Sequence, residues 1–473
     1  MIRYLLVDAM AKEERTLLPT KFMEESSQAA WKTSFLTAAV LFDLASRQVL
    51  LHAEGFPLTF AAHTPPSLFK RAIQFNNPFT NLIEMDANFA QLKKEFAKEL
   101  ETHKEFLNEF DLLRGLQGHN NDIDYVRKHL RAHLRFLSSM DWSKFERHPV
   151  LAKYYPWGFV GDTGKNNNTF LYIETVGRAD PDGIMNTASI SDIILNRLYD
   201  TEFMIKQLRQ HESETGKQAK IIFVFDLEEF SLDSSWLSIL GRQFKVGSKF
   251  FSDRYSEILH KVVVVNCPSY VYYVWKMMQP ILPEMTRQKV ELLYGDDWRQ
   301  KLLQYVAPER LPVYWGGTLV DENGDPMFRS RVVVPPGKIP KNLWWHSSPD
   351  DPDLEQGRQL AVSAGHFEYV DVKVTESDLK EKTGCVRLKW YFTTSGDFSF
   401  GVFFRADDDR SENANDHMIM QMVYPFFDHL PGPTQVPESA HIECKKAGVY
   451  RLRFGNEMGW WYKLNITLHV RCV

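Results

Sequence analysis

The spacing of apolar positions changes along the chain, and each change predicts a different kind of element. Phe89, Leu92, Phe96 and Leu100 recur at helical intervals, with Lys93, Lys94, Glu95 and Lys98 on the other side. A second helix is expected after Asp122, a good N-cap, carrying Ile123, Val126, Leu130, Leu134 and Leu137 inward. Its outer side holds Arg127, Arg131 and Arg135, a basic stripe that suits anionic headgroups, although a solvated face is the simpler reading. Between about 150 and 320, continuous apolar runs at 169–176, 221–225 and 261–265 read as strands. Helical stretches at 189–211 and 234–251 separate them, which implies an α/β sheet built through right-handed crossovers. Beyond about 330 the period becomes two. Val386, Leu388, Trp390 and Phe392 alternate with polar residues, as do Phe398 to Phe404, Tyr450 to Phe454 and Leu464 to Val470, which indicates an antiparallel sandwich.

The 473 residues leave room for about three domains. Lys plus Arg number 56 against 61 Asp plus Glu, and the net charge of −5 lacks the basic field of a nonspecific nucleic-acid binder. No nucleic-acid partner is expected. Aromatics reach 13%, with 33 Phe and 12 Trp, enough for bulky cores or an apolar cavity. Cys267, Cys385, Cys444 and Cys472 are widely separated, so a zinc site is not expected and a reduced, cytoplasmic chain is. The apolar run at 33–42 is too short to span a bilayer, and residues 1–80 receive no assignment.

Enzyme signatures are missing. No G-x-G-x-x-G follows a strand, there is no G-x-S-x-G elbow, and no H-E-x-x-H appears. The segment Gly161-Asp162-Thr163-Gly164-Lys165 has its glycines too close for a phosphate loop and reads as a hairpin turn. His129 and His133 have metal-ligand spacing, but Lys128, Arg131 and Arg135 around them favour an exposed helix face. Asp407, Asp408 and Asp409 read as a solvated turn rather than a calcium loop. Neither a cofactor nor a metal is expected, and the chain is not read as an enzyme.

The stretch from Lys261 to Gly317 is the most informative. Its strand ends in Asn266-Cys267-Pro268, and Pro268 opens a helix that carries Val271, Trp275, Met278 and Ile281 on one stripe before Pro280 ends it. Such a stripe is ordinary core packing, yet Trp, Tyr and Met also suit a wall that accepts a flexible apolar ligand. Several short motifs here agree in order and spacing with the CRAL-TRIO lipid-binding domain. They are Arg254-Tyr255-Ser256-Glu257-Ile258-Leu259, Asn266-Cys267-Pro268, Gln279-Pro280-Ile281-Leu282, Thr286-Arg287-Gln288-Lys289 and Leu311-Pro312-Val313-Tyr314-Trp315-Gly316-Gly317. The C-terminal run Gly448-Val449-Tyr450-Arg451-Leu452-Arg453-Phe454-Gly455-Asn456, with Trp460-Trp461, resembles the end of a GOLD domain. CRAL-TRIO followed by GOLD is the layout of the tocopherol-associated proteins, also called supernatant protein factor.

The resemblance implies a multidomain chain. Residues 81–146 would be the helical CRAL-TRIO N-terminal segment, 147–322 the α/β lipid-binding domain, 323–355 a linker and 356–473 an all-β GOLD sandwich. It also implies one hydrophobic lipid in a gated pocket. Val271, Trp275, Met278 and Ile281 would form the gate, and Ile221, Phe223 and Phe225 the sheet floor. Glu257 and Lys289 match the pair with which family members hold a phosphatidylinositol headgroup, while an ordinary ion pair or solvated surface explains them equally well. Against a phosphoinositide, the family's Arg-rich L-L-R-x-L-R-A-R reads Leu112-Leu113-Arg114-Gly115-Leu116-Gln117-Gly118-His119, which removes charge-assisted donors. The floor residues Ile221 and Phe223 also stand where a choline-lipid binder uses hydroxyls. The ligand is thus a phospholipid or a tocopherol-, squalene- or retinoid-like molecule, the less polar being favoured. The expected partners are that lipid, a transient membrane surface and a protein contacted through the GOLD domain. The rival reading is a trafficking adaptor whose pocket has collapsed.

Overall fold

The computed structural model describes residues 78–165, 168–232, 236, 244–282, 284–349, 351–353, 356–382, 385–407 and 416–473. The unassigned residues 1–77, most of 233–243 and the acidic turn at 408–410 lie outside the described residues.

Helices α1 (Pro78–Glu95) and α2 (Ala97–Thr102) bring the Leu92 and Phe96 stripe against Leu107, Leu112 and Leu116. Helix α3 (Glu109–Gly118) starts with a reciprocal cap: the Asn108 side chain accepts from the Asp111 amide, and the Asp111 carboxylate accepts from the Asn108 amide. Asp122 caps α4 (Ile123–Leu137), its side chain accepting from the Tyr125 amide at 3.0 Å. The basic stripe of α4 is only partly solvated: Arg131 is exposed, while Arg127 and Arg135 are half-buried. Arg127 pairs with Glu95 at 2.6 Å, Arg131 lies over the Phe96 ring, and Arg135 donates to the His417 carbonyl at 2.8 Å, 282 residues away. His133 is buried as well, contrary to an exposed face, because α4 is covered on more than one side.

The α/β unit is a six-stranded sheet of β1 (Trp157–Asp162), β2 (Thr169–Glu174), β3 (Lys220–Asp226), β4 (Leu259–Val265), β5 (Val290–Leu292) and β6 (Val332–Val333), in the order β5-β4-β3-β2-β1-β6. Strands β2 to β5 are parallel, and the expected turn at Gly161 to Lys165 joins the antiparallel pair β1 and β2. With it go helices α5 (Pro149–Tyr154), α6 (Pro181–Thr187), α7 (Ile190–Thr215), α8 (Phe244–Arg254) and α9 (Val271–Met278), and two short helices at Glu284–Arg287 and Trp298–Leu302. Residues 323–355, expected as a linker, are in part built into this unit. Val332–Val333 pairs with β1, and Ile339 is buried beside Leu151 and Ile184, its amide donating to Asp180 at 2.7 Å.

The C-terminal unit consists of β7 (Arg358–Val362), β8 (Phe367–Val374), β9 (Val386–Thr394), β10 (Phe398–Ala406), β11 (Gln421–Leu430), β12 (Glu438–Cys444), β13 (Gly448–Gly455) and β14 (Leu464–Cys472). They form two antiparallel sheets, ordered β11-β10-β13-β8 and β12-β9-β14-β7. Between the sheets, Phe392, Phe400 and Phe454 meet at centroid distances of 4.8 to 5.1 Å. That core continues into the helices, since Phe136 of α4 packs on Phe427 and Phe250, in one cluster with Ile190, Leu195 and Leu198 of α7.

Two buried polar contacts pin these layers. Arg114 of α3 pairs with Glu212 and Asp111, and Arg209 of α7 pairs with Asp111 at 2.8 Å and Glu202 at 3.2 Å. In the second, the Glu438 carboxylate of β12 accepts from the first amides of α7, Ile190 at 3.0 Å and Ser191 at 3.4 Å, compensating donors that a helix leaves unpaired. Burial pushes the Glu438 pKa up to about 7 from an ordinary 4.5. The native state therefore holds this proton over a range where the unfolded chain releases it. The associated stability is fully present below pH 4.5 and is lost as pH rises through about 7, a change of about 3 kcal/mol. The melting temperature should accordingly fall more between pH 5 and 7.5 in the natural protein than in Glu438→Gln, and thermal melts at the two pH values with equal drops would refute this. Arg114→Ala, which leaves Glu212 buried without its cation, should lower stability by about 3 kcal/mol or more, read as a lower denaturant midpoint.

Candidate ligand site

The two faces of the six-stranded sheet are filled unequally. Side chains alternate along β3, and those on one face, Ile222 and Val224, have no exposure. They pack with Leu171, Ile173, Val263, Val265, Leu311 and Trp315. On the other face Phe223 and Phe225 are only half-buried, beside Val262 and Val264 of β4 and Val290 and Leu292 of β5. The third expected floor residue, Ile221, has no exposure and is packed among Phe170, Tyr172, Leu208 and Ile258. It shares that face with Phe223 and Phe225 but is covered by Leu208. Tyr172 stands against Phe223, with centroids 4.6 Å apart.

At the carboxyl ends of the strands, one carboxylate fixes the turn into α9. Asp226 is buried at the end of β3, where its Oδ1 accepts from the Asn266 side chain at 2.7 Å and the Glu228 amide at 2.9 Å. Its Oδ2 accepts from the Trp315 indole at 2.9 Å. Burial raises the Asp226 pKa and these donors oppose the rise. Asn266 itself adopts φ +52°, a left-handed conformation that asparagine tolerates better than most residues. Helix α9 then presents Val271 and Val274 inward and Tyr272, Tyr273 and Met277 outward. Of the four expected gate residues, Val271 joins the Phe223 and Phe225 cluster, whereas Trp275, Met278 and Ile281 are half-buried. Pro280 sits in the single 3-10 turn Gln279–Ile281 that ends the helix.

At the opposite edge, Glu257 and Lys289 are brought together as expected. Both Glu257 carboxylate oxygens lie 3.0 Å from the Lys289 ammonium, and Lys220 approaches the same carboxylate at 3.3 Å. Glu257 and Lys289 precede β4 and β5 and Lys220 opens β3, so the parallel arrangement alone gathers them. Glu257 has φ +52°, an uncommon backbone for a non-glycine residue. Gly118 closes α3 directly against this segment, and a Cβ there would lie 2.5 Å from the Ser256 Cβ. The His260 pKa is lowered by burial and then by Lys220, Lys261 and Lys289. Two ammonium groups on one carboxylate leave a net positive charge, which can receive a phosphate oxygen.

Lys220 and the Asp226, Asn266 and Trp315 cluster were not anticipated from sequence. Lys220 carries much the same signal as Glu257 and Lys289, a charged residue at the start of an apolar strand. The pairing of Asp226 with Trp315, 89 residues apart, has no local signal. His133 lines a small cavity of about 40 Å³ with Arg114, Arg209 and Arg254, room for a water or two. Burial, with Arg254 and Arg209 nearby, pushes its pKa down to about 3. Among the described residues no group of His, Cys, Asp or Glu is arranged to hold a metal ion, and no helix is long and apolar enough to cross a membrane.

Residues 154–317 match the family model described as CRAL/TRIO domain, and residues 343–473 match the one described as F28H7_8_C:-like, C-terminal domain. Similar curated proteins include the CRAL-TRIO domain-containing protein F28H7.8 of Caenorhabditis elegans, 24% identical over 364 residues that cover 74% of this chain and 82% of that one. Protein ctg-1 of the same organism is 26% identical over 360 residues, 75% of this chain and 89% of its own length. The phosphatidylinositol/phosphatidylcholine transfer protein SFH11 of Arabidopsis thaliana is 27% identical over 273 residues, 49% of this chain and 71% of that protein. The half-open apolar face, the turn held by Asp226 and the charged edge at Glu257 thus lie within the residues that match the CRAL/TRIO domain model.

Proposed function

We propose that this chain is a non-catalytic lipid carrier that holds one lipid along the half-open face of the six-stranded sheet and exchanges it when α9 moves. The observation that carries this reading is the contrast along β3, where Ile222 and Val224 are sealed while Phe223 and Phe225 are not. Strand β4 spans seven residues, or about 23 Å at 3.3 Å per residue, comparable to an extended long acyl chain. Each methylene buried there contributes about 0.8 kcal/mol, so a chain of ordinary length supplies the energy needed to leave a bilayer. The Glu257, Lys289 and Lys220 edge supports a phospholipid with an anionic headgroup, as does the likeness to a phosphatidylinositol/phosphatidylcholine transfer protein. A tocopherol-, squalene- or retinoid-like ligand is the second reading, favoured by Gln117 and His119 where the family carries arginines.

The C-terminal sandwich is read as a GOLD domain, and the protein as a cytoplasmic one that meets membranes transiently. The adaptor alternative would have the face solidly filled, which the half-buried Phe223 and Phe225 argue against.

Native mass spectrometry of the purified protein should show one bound lipid, and Phe225→Asp should reduce its occupancy about tenfold or more while the melting temperature stays near that of the natural protein. Absence of any lipid, together with no transfer between vesicles, would defeat the carrier reading. Lys289→Ala removes a charge-assisted donor and should lower phosphatidylinositol transfer by about tenfold or more, leaving phosphatidylcholine transfer within about twofold. If the two transfers are equally unaffected, the less polar ligand takes precedence.

A further inference from the structure

The turn from β13 to β14 has a fixed stem and an exposed aromatic tip. Asn456, 3% exposed, is the anchor. Its amide donates to the His366 carbonyl at 2.8 Å, and its own carbonyl accepts from Gly365 at 2.9 Å and Gly459 at 3.1 Å. The Asn456 side chain donates to the carbonyls of Val362, at the end of β7, at 3.1 Å and of Tyr462, at the far end of the turn, at 3.0 Å. A Cβ on Gly459 would lie 2.2 Å from the Asn456 Oδ1, so glycine alone keeps this close approach. Beyond the stem, Met458, Trp460, Trp461 and Tyr462 are 56, 69, 90 and 62% exposed. Tryptophan is on average a highly buried residue, and two adjacent exposed indoles on a hydrogen-bonded turn are costly unless they serve a contact.

The charges beside the tip indicate what covers it. Glu457 is occupied by Arg453 and by the Ser399 hydroxyl at 2.8 Å. Asp397 is occupied by His429 at 3.0 Å and the Gly432 amide at 2.8 Å. Lys463 directly follows Tyr462 and is exposed. The tip therefore offers two indoles, a phenol and an ammonium, with the adjacent carboxylates already compensated. Trp and Tyr are the side chains that settle at the headgroup level of a bilayer, and a lysine beside them is complementary to anionic lipid. A protein partner would need a groove shaped to this projection, whereas a fluid bilayer accepts it as it stands.

We infer that residues 458–463 form a wedge that docks the protein on an anionic membrane surface by seating Trp460, Trp461 and Tyr462 among the headgroups. The purpose of this contact rests on the lipid-carrier reading, but its test does not. The full chain should sediment with vesicles of phosphatidylcholine mixed with phosphatidylserine, and brominated phosphatidylcholine in those vesicles should quench part of its tryptophan fluorescence. In Trp460→Ala/Trp461→Ala/Tyr462→Ala, binding to the vesicles should fall by about tenfold or more and the quenching should shrink. Because the three side chains are exposed, the variant should melt with the natural protein and carry the same lipid by native mass spectrometry. Vesicle binding that persists in the variant, or a loop that retains a protein partner while the natural protein ignores vesicles, would overturn the inference. Loop-dependent vesicle binding by a protein that never carries lipid would instead refute only the carrier reading.

Discussion

The parallel run of β2 to β5 is the constraint on which the site depends. Parallel strands put every strand start on one edge of the sheet and every strand end on the other. Residues far apart in sequence, Lys220, Glu257 and Lys289, are collected at the first edge because each stands at or just before the start of a strand. The second edge receives the Asn266 turn and α9, fixed by Asp226. The face between the edges runs from charge at one end to the apolar helix α9 at the other, so the polarity of the candidate site follows from topology before any single contact is considered.

The cost of this arrangement appears in the unequal layers. One face is closed by Trp315, Leu311 and their neighbours, which have little or no exposure. The other leaves phenylalanine edges uncovered, apolar area that a fully packed core would have used for stability. Stability is supplied elsewhere, in the ion pairs between α3 and α7 and in the aromatic core that the sandwich shares with α4 and α7.

Much of this was legible in the sequence where the signal is local. Alternation marks β9, β10, β13 and β14, four of the eight strands of the sandwich, and the apolar runs at 221–225 and 261–265 mark β3 and β4 nearly to their ends. The caps Asp122 and Ser189 mark the starts of α4 and α7. What could not be read depends on distant partners. The α4 stripe reads as a surface because a helix with Arg127, Arg131 and Arg135 is amphipathic by pattern; Arg131 is indeed exposed, whereas Arg127 is held by Glu95 and Arg135 by the His417 carbonyl. Strand β6 has two residues, too few for any period to register. In the candidate site, Glu257 and Lys289 were found through resemblance, while Lys220 needed the third strand start to be aligned with the other two.

The hydrogen bonds from Ile190 and Ser191 to Glu438 join residues 248 and 247 positions apart. At ribosomal speeds of about 5–20 residues per second, the start of α7 is made some 12–50 seconds before the carboxylate that completes it. During that interval the apolar side of α4 and α7 is exposed on a nascent chain, which makes the helical layer a natural client for chaperones until the last third of the polypeptide has been synthesised.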